Sequence, residues 1–374
     1  MLRTEQGTVM QLTTVVKLQT TPQQFAALVQ TLRTCNAVCD RISQVAFHTQ
    51  TFRQYDLHHL TYHNIKAESG LNANHVVRAI AKVADAYKLD RDTLRTFHPL
   101  GAVELDKDLL TWYVQEQIVS INTLHGRLKM HFLCSAEQKQ CLRGKKGQAD
   151  LLLRDGVFYL SCAFAVDESE PFPPQGVIGV DLGIVNVATD SEGNIHTGEQ
   201  VQRVRRKYHR LRQLLQPKKT RSARKRLQKA RRKESRFVKN ENHRISKELV
   251  RIAYHRQKAL ACETLQGIRQ RGNGLNRAMR TQLHTWAFHQ LKLFLAYKAR
   301  RAGVPLIEVD PRYSSQTCST CGHCERANRK SQEWFECLCC GLKLNADYNA
   351  ALNLKARGEL SAALMFRQEA IASE

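Results

Sequence analysis

Four cysteines near the end of this 374-residue chain have the types and spacing needed to hold a metal ion. Cys318-Ser-Thr-Cys321-Gly and Cys337-Leu-Cys-Cys340-Gly repeat one short pattern, with fifteen residues between the two pairs. Two thiolates three residues apart can occupy one edge of a tetrahedron. A second pair closes the shell and leaves no open position, which defines a structural zinc ribbon with about one zinc per chain. A glycine follows each pair (Gly322 and Gly341), as expected where the backbone turns tightly at positive φ around a metal. Cys324 and Cys339 allow other sets of four, but only Cys318, Cys321, Cys337 and Cys340 keep the internal symmetry.

A second chemistry is carried by three acids. Asp181 closes the apolar run Val177-Ile-Gly-Val-Asp181, where an aspartate is costly to bury unless it is paired or binds a metal. Glu263 stands near the carboxyl end of the short apolar stretch Lys258–Leu265. Asp347 falls in the first turn of a helix that follows the ribbon directly. Asn345 or Asp347 is suited to cap that helix, and Lys355, Arg357 and Gly358 mark its expected end. Taken singly, Asp181 and Asp347 read as capping or turn residues. Gathered together, three carboxylates repel one another, and hard divalent cations remove that repulsion. Two Mg²⁺ or Mn²⁺ ions about 3.5–4 Å apart would orient a water on one side of a phosphodiester and stabilise the leaving oxygen on the other, with the acids as ligands and no protein nucleophile.

The elements that must position these residues are set by patterning. Met10, Leu12, Val16 and Leu18 alternate as in a half-buried strand. Thr21-Pro-Gln-Gln24 has the form of a capping box with proline at the first helical position. Phe25, Leu28, Leu32, Cys35, Cys39, Ile42 and Ala46 then recur at helical spacing, and further helices are expected at about 55–68 and 73–88, the second after Asn72. β-Structure returns at 150–166, where Asp155-Gly156 between two apolar runs signals a hairpin. Gly144-Lys-Lys-Gly147 lacks P-loop spacing and reads as a solvated turn. The proline-rich acidic stretch Asp167–Pro174 marks the domain boundary. Beyond it come a β-meander carrying Asp181, two helices broken at Pro217, the strand with Glu263, a helix starting at Asn273 or Asn276 and bearing Met279, Leu283, Trp286, Phe294 and Tyr297 before Gly303, the strand Leu306–Asp310, and the helix with Asp347. That is the element order of an RNase H-like domain, in which Asp181 and Glu263 come from neighbouring strands.

The chain carries 58 Lys and Arg against 34 acids, a net charge of +24. Between 203 and 239 there are 18 Lys or Arg and one acid, Glu234. Such one-sided charge needs an anion to offset its self-repulsion, and it points to a polyanion as partner. The candidate nucleic-acid residues are Arg203, Arg205, Arg206, Lys207, Arg210, Lys218, Lys219, Arg221, Arg224, Lys225 and Arg226. No apolar run reaches the roughly 20 residues of a membrane span and no signal segment opens the chain, which excludes a membrane partner and places the protein in the cytosol. Six of its 12 cysteines fall within 318–340, which suits reduced thiols and one zinc better than a disulfide framework.

The chain resembles TnpB, the OrfB-type protein of small insertion sequences and a relative of type V CRISPR effectors. The likeness rests on Gly179-Val-Asp181-Leu-Gly-Ile-Val-Asn, Glu263-Thr-Leu-Gln-Gly-Ile, Val309-Asp-Pro-Arg-Tyr-Ser-Ser-Gln-Thr-Cys318-Ser-Thr-Cys321-Gly, Ser331-Gln…Phe335-Glu-Cys337 and Asn345-Ala-Asp347-Tyr-Asn-Ala-Ala. Near the N-terminus, Lys17-Leu…Thr21-Pro…Gln24 and Thr34-Cys-Asn36 add to it. The resemblance implies an α+β multidomain chain. Residues 1 to about 170 would form a β-barrel wedge domain with a helical recognition insertion at about 21–95. Residues 176–374 would form a RuvC-like nuclease domain with a zinc ribbon at about 314–343. It also implies an RNA-guided DNA endonuclease that takes a guide RNA from the element's own end and cuts target DNA, with catalytic acids at Asp181, Glu263 and Asp347. Two other readings stay open. One is a zinc-stabilised nucleic-acid-binding transposition accessory or repressor without cleavage, and the other is a compact type V CRISPR effector.

Overall fold

Alternation along β1 (Val9–Gln19) buries Thr14, Val16 and Leu18 and exposes Val15, Lys17 and Gln19. The computed structural model describes residues 9–143, 146–264, 288–331 and 333–372. Its contacts divide the chain into two compact units, Met1–Asp167 and Glu168–Glu374. Among the described residues no helix is long and apolar enough to cross a membrane.

In the first unit the chain leaves β1 through the expected capping box. The Gln24 amide donates to Thr21 Oγ1 (3.2 Å) and the Thr21 amide donates to Gln24 Oε1 (2.9 Å). This starts α1 (Pro22–His48), which is followed by α2 (Gln54–Ser69) and by α3 (Ala73–Tyr87), the last capped by Asn72. Strands β2 (Val103–Leu105), β3 (Leu110–Tyr113), β4 (Ile118–Thr123) and β5 (Gly126–Leu133), a short α4 (Ala136–Arg143), then β6 (Lys146–Arg154) and β7 (Val157–Asp167) complete the unit. The antiparallel sheet has the order β2-β6-β7-β1-β5-β4-β3 and comes near to closing as a barrel. Asp155 (φ 51°) and Gly156 (φ 76°) both take the left-handed conformation between β6 and β7, as a two-residue hairpin turn requires. Leu28, Leu32, Ile42, Ile80 and Tyr87 from the helices join Val16, Phe132, Phe158 and Leu160 from the sheet in one core. Of the loop Gly144–Gly147, Gly144 and Lys145 lie outside the described residues.

The second unit is built on β8 (Val177–Asp181), β9 (Asn186–Asp190) and β10 (Ile195–Thr197). Helices α5 (Glu199–Leu215) and α6 (Arg221–His255) lead to β11 (Ala259–Glu263). Next come α7 (Phe288–Ala302), β12 (Leu306–Val309), the ribbon strands β13 (Trp334–Glu336) and β14 (Lys343–Asn345), and α8 (Ala346–Ala372). The sheet order is β10-β9-β8-β11-β12, with β9 antiparallel to β8 and with β11 parallel to both β8 and β12. On one face Ile178, Val180 and Leu260 pack against Ile245 and Leu249 of α6 and Leu291 and Leu295 of α7. On the other, Val177, Ala259, Ala261, Ile307 and Val309 pack against Leu354 of α8. Asn273, Asn276, Met279, Leu283 and Trp286, expected in the earlier part of this same helix, lie outside the described residues; α7 carries Phe294 and Tyr297 and ends before Gly303 at φ +67°. The proline-rich stretch after β7 is held to this unit, since the Ser169 amide donates to Arg300 O (3.2 Å) and the Phe172 amide to Gly303 O (3.1 Å).

One expectation fails. Gly358 does not end the last helix, because α8 continues to Ala372. A Cβ at Gly358 would come within 2.5 Å of Ala261 Cβ and 2.8 Å of Val177 Cγ1. The glycine is there to bring the helix close to β8 and β11, and the Glu-Leu-Ser-Ala-Ala-Leu that follows consists mostly of good helix formers.

Candidate functional site

Strand alternation decides where two of the three acids point. On β8 the residues facing α8 are Val177, Gly179 and Asp181, and on β11 they are Ala259, Ala261 and Glu263. The parallel register pairs Val180 with Cys262, so Asp181 and Glu263 follow side by side at the carboxyl ends of adjacent strands. Helix α8 crosses this face at very short range. A Cβ on Gly179 would lie 2.0 Å from the Ala351 carbonyl oxygen and 2.4 Å from the Lys355 nitrogen, so only glycine fits there. The first turn of α8 therefore lies over the strand ends. Asn345 fixes that turn by accepting from the Asp347 amide (3.0 Å) and the Tyr348 amide (3.1 Å).

Asp347 is buried, with 5% of its surface exposed. Its Oδ2 accepts from Asn186 Nδ2 (2.9 Å) and its Oδ1 from Arg329 Nη2 (3.3 Å). Asp181 keeps part of its surface open while protein crowds the rest of it. Burial pushes its carboxyl up to about 8, the charges of Asp347 and Glu263 push the same way, and Arg329 opposes them. Asp181 thus lies within electrostatic reach of both Asp347 and Glu263. Among the described residues, however, only the cysteine group brings three or more ligand atoms within 4.8 Å of one another, so the carboxylates are more widely spread than a single-ion cage. Carboxylate oxygens are the hard donors that Mg²⁺ and Mn²⁺ prefer.

The four thiols converge as the spacing predicts. Cys318 Sγ lies 3.6 Å from Cys340 Sγ, and Cys321 Sγ lies 3.5 Å from Cys337 Sγ. A tetrahedral zinc with Zn–S of about 2.3 Å has S···S edges of about 3.8 Å, so the cluster fits zinc. Cys324 and Cys339 are exposed and stand outside the group. Each knuckle closes with the glycine amide donating back to the first cysteine's carbonyl, Gly322 to Cys318 and Gly341 to Cys337, both at 3.0 Å. The two glycines have φ of 76° and 73°. Against the Leu342 amide's hydrogen bond, desolvation and the neighbouring thiols push the Cys340 thiol up to about 12, while hydrogen bonds from the Cys340 amide first, and then from Cys339, bring the Cys337 thiol down to about 6 against its desolvation. A thiolate favoured in this way is the metal-binding form.

Of the basic candidates, Arg203, Arg206, Lys207, Arg210, Lys218, Lys219, Arg221, Arg224, Lys225 and Arg226 are exposed along α5, α6 and their connection. Arg205 differs. It is half-buried, and burial lowers its pKa while Glu234 raises it. Glu234 also accepts from Arg212 at 2.5 Å, tying α5 to α6. The single acid of the stretch is therefore spent on pinning the hairpin, which leaves an unbalanced cationic surface. Arg329, Asn186, Asn349 and Asn353 were not singled out from sequence. Asn345, Asn349 and Asn353 recur every four residues, which places polar groups on one helical face, and that period was the available signal.

Known proteins share parts of this sequence and its fold. Residues 161–266 match the family model OrfB_IS605, described as "Probable transposase", and residues 288–354 match the model of the Cas12f1-like TNB domain. The CRISPR-associated endodeoxyribonuclease Cas12f1 of Sulfoacidibacillus thermotolerans is 38% identical over 119 residues, which are 32% of this chain and 26% of that protein. InsQ of Escherichia coli (strain K12) is 30% identical over 224 residues, covering 54% of each chain. The TnpB-like protein MJ0751 of Methanocaldococcus jannaschii is 32% identical over 122 residues, 33% of this chain and 43% of that one. The chain thus spans from 26% to 54% of the length of these three relatives. The structure of a Cas12f1–sgRNA–target DNA complex superposes with a TM-score of 0.57 at 14% identity, over 88% of this chain and 82% of that one. Fold and cysteine cluster define an α+β protein with the architecture of Cas12f and a group of four cysteines able to hold zinc. The chain is similar to TnpB-type proteins and to type V CRISPR effectors over these parts of its length.

Proposed function

We propose that this chain is an RNA-guided DNA endonuclease of an insertion sequence, hydrolysing phosphodiesters at Asp181, Glu263 and Asp347 with two divalent metal ions. In this reading the second unit is a RuvC-like nuclease domain with an inserted zinc ribbon, and the first is a wedge-like domain whose helical insertion is α1 to α3. The observation that carries it is geometric: Asp181 and Glu263 end adjacent parallel strands beneath the helix turn that bears Asp347, a grouping of carboxylates that calls for positive charge, and burial first, then the two neighbouring acids, push the Asp181 carboxyl up. Divalent cations bound there would supply that charge, lower the pKa of an attacking water and stabilise the leaving oxygen.

The chain's own residues account for the remainder. Asp181 and Glu263 offer oxygens from rigid strand ends, and Asn186 orients the Asp347 carboxylate by a hydrogen bond at 2.9 Å. The exposed cations of α5 and α6 would bind phosphates of guide or target without reading sequence. The names of relatives support the activity: that of InsQ refers to an RNA-guided DNA endonuclease, that of Cas12f1 to an endodeoxyribonuclease, and the similar solved complex holds a guide RNA and target DNA.

One observation favours the non-cleaving alternative. Arg329 already neutralises part of the Asp347 charge, as a purely structural acid would require. Asp181→Ala separates the readings. In Mg²⁺ the purified variant should lose guided cleavage by at least about 10³-fold while RNA affinity stays within about twofold; wild-type protein that binds guide and target yet leaves the strands intact would establish the alternative.

A further inference from the structure

The ribbon is fastened to the helix that carries Asp347 by two asparagine side chains. Asn349 is fully buried; its Nδ2 donates to the Thr317 carbonyl (2.8 Å) and its Oδ1 accepts from the Ser319 amide (3.1 Å). Asn353, one turn on and 8% exposed, donates to the carbonyls of Ser314 (2.8 Å) and Thr317 (2.7 Å). These acceptors and donors flank Cys318, so both asparagines grip the backbone of the first zinc knuckle. At the other side of the ribbon, the Ala346 amide donates to the Glu333 carbonyl (2.9 Å). Ala346 also packs with Cys318, Phe335 and Cys337 in a small apolar cluster.

Asp347 lies between these attachments, two residues before Asn349 and one after Ala346. The rest of α8 is set by its close approach to β8, at Gly179 and Gly358. The first turn, which projects past the end of β8 toward the acids, is held on one side by Asn186 of β9, whose Nδ2 donates to Asp347 Oδ2 (2.9 Å), and on the other by the ribbon. Buried amide pairs suit this task because they fix direction as well as distance, and breaking one leaves a carbonyl or an amide without its partner at a cost of about 1–3 kcal/mol.

We propose that Asn349 and Asn353 are positioning residues which transmit the folded state of the zinc ribbon to Asp347, so that the ribbon sets the geometry of the divalent-metal site as well as its own fold. Zinc loss would release the first knuckle, loosen the first turn of α8 and move Asp347 away from Asp181 and Glu263. The inference rests on the metal-site reading above, and its test separates the two.

The experiment compares wild-type protein with Asn353→Ala and Asn349→Asp. The aspartate keeps the acceptor for Ser319 but sets a carboxylate against the Thr317 carbonyl, so a response to hydrogen bonding and a response to volume can be told apart. Zinc content, Mn²⁺ binding by electron paramagnetic resonance and guided cleavage are measured on each. The expected result is zinc held at about one per chain, Mn²⁺ affinity weakened at least fivefold and cleavage slowed at least tenfold, with the Mg²⁺ concentration for half-maximal rate raised. Variants with full zinc that bind Mn²⁺ and cleave within twofold of wild type would overturn the proposal. If a substitution sheds zinc, Asn349→Ser, which keeps one hydroxyl bond, is judged by the same two outcomes. A wild type that neither binds Mn²⁺ nor cleaves would instead sink the metal-site reading itself.

Discussion

Asp181 is where residue chemistry and stability meet. Its folded-state pKa of about 8 stands above the ordinary value of 3.8, so between these two values the unfolded chain holds fewer protons than the folded one. Stability of the metal-free protein should then fall as pH rises from about 4 to about 8. Divalent ions should offset the trend, because they bind the ionised carboxylate and displace its proton. Thermal melts of the zinc-loaded protein across pH 5–8, without and with added Mg²⁺, test this. The expected pattern is a declining Tm without Mg²⁺, a flatter profile with it, and little decline in Asp181→Asn. A Tm without Mg²⁺ that rises across this range would contradict the assigned direction. Arg329 and Asn186 belong to this scale too, because together they engage both oxygens of Asp347.

Among the elements, the critical pairing is α8 on β8. The helix backbone comes so near the strand that Gly179→Ala would drive a methyl into the Ala351 carbonyl, 2.0 Å away. Backbone cannot swing aside as a side-chain tip can, so the helix must lift or the strand must bend. Overpacking of this kind costs about 1–3 kcal/mol or more. Gly179→Ala should therefore lower the unfolding midpoint in urea by an amount in this range and also reduce Mn²⁺ binding, since the lifted helix carries Asp347. A variant with wild-type stability would show that this approach is looser than described. The capping box of α1 and the left-handed turn at Asp155-Gly156 are local devices that follow from a few adjacent residues.

At the scale of the whole molecule, a net charge of +24 is concentrated on an exposed hairpin of two helices. With Glu234 engaged by Arg212, the outward cations lack acids of their own in that stretch. Nucleic-acid binding should weaken steeply with salt, by about 0.9 in the slope of log K against log salt for each phosphate contact on duplex DNA. Replacing Arg224, Lys225 and Arg226 with glutamine should reduce that slope by up to about 2–3 while leaving the zinc content unchanged. An unaltered slope would place the contacts on another surface. The change is confined to α6, far along the chain from all three acids, so its effect on metal binding should be small.

Local order and the grouping of four cysteines were legible in the sequence alone. Spacing and the repeated glycine picked Cys318, Cys321, Cys337 and Cys340 over Cys324 and Cys339, because a knuckle is a short-range object whose geometry is set within five residues. Strand alternation, the capping box and the Asp-Gly turn were equally local. What α8 does past Gly358 could not be read in the same way. A glycine after Lys and Arg signals a helix end in isolation, and only the proximity of Ala261 and Val177 shows that it serves packing. The coupling of Asp181 to Asp347 and the grip of Asn349 and Asn353 on the first knuckle likewise join positions tens to more than a hundred residues apart. Contacts of that separation arise from how layers stack, and stacking depends on the summed shape of many side chains. The sequence therefore names the chemical groups, while the tertiary structure decides which of them meet.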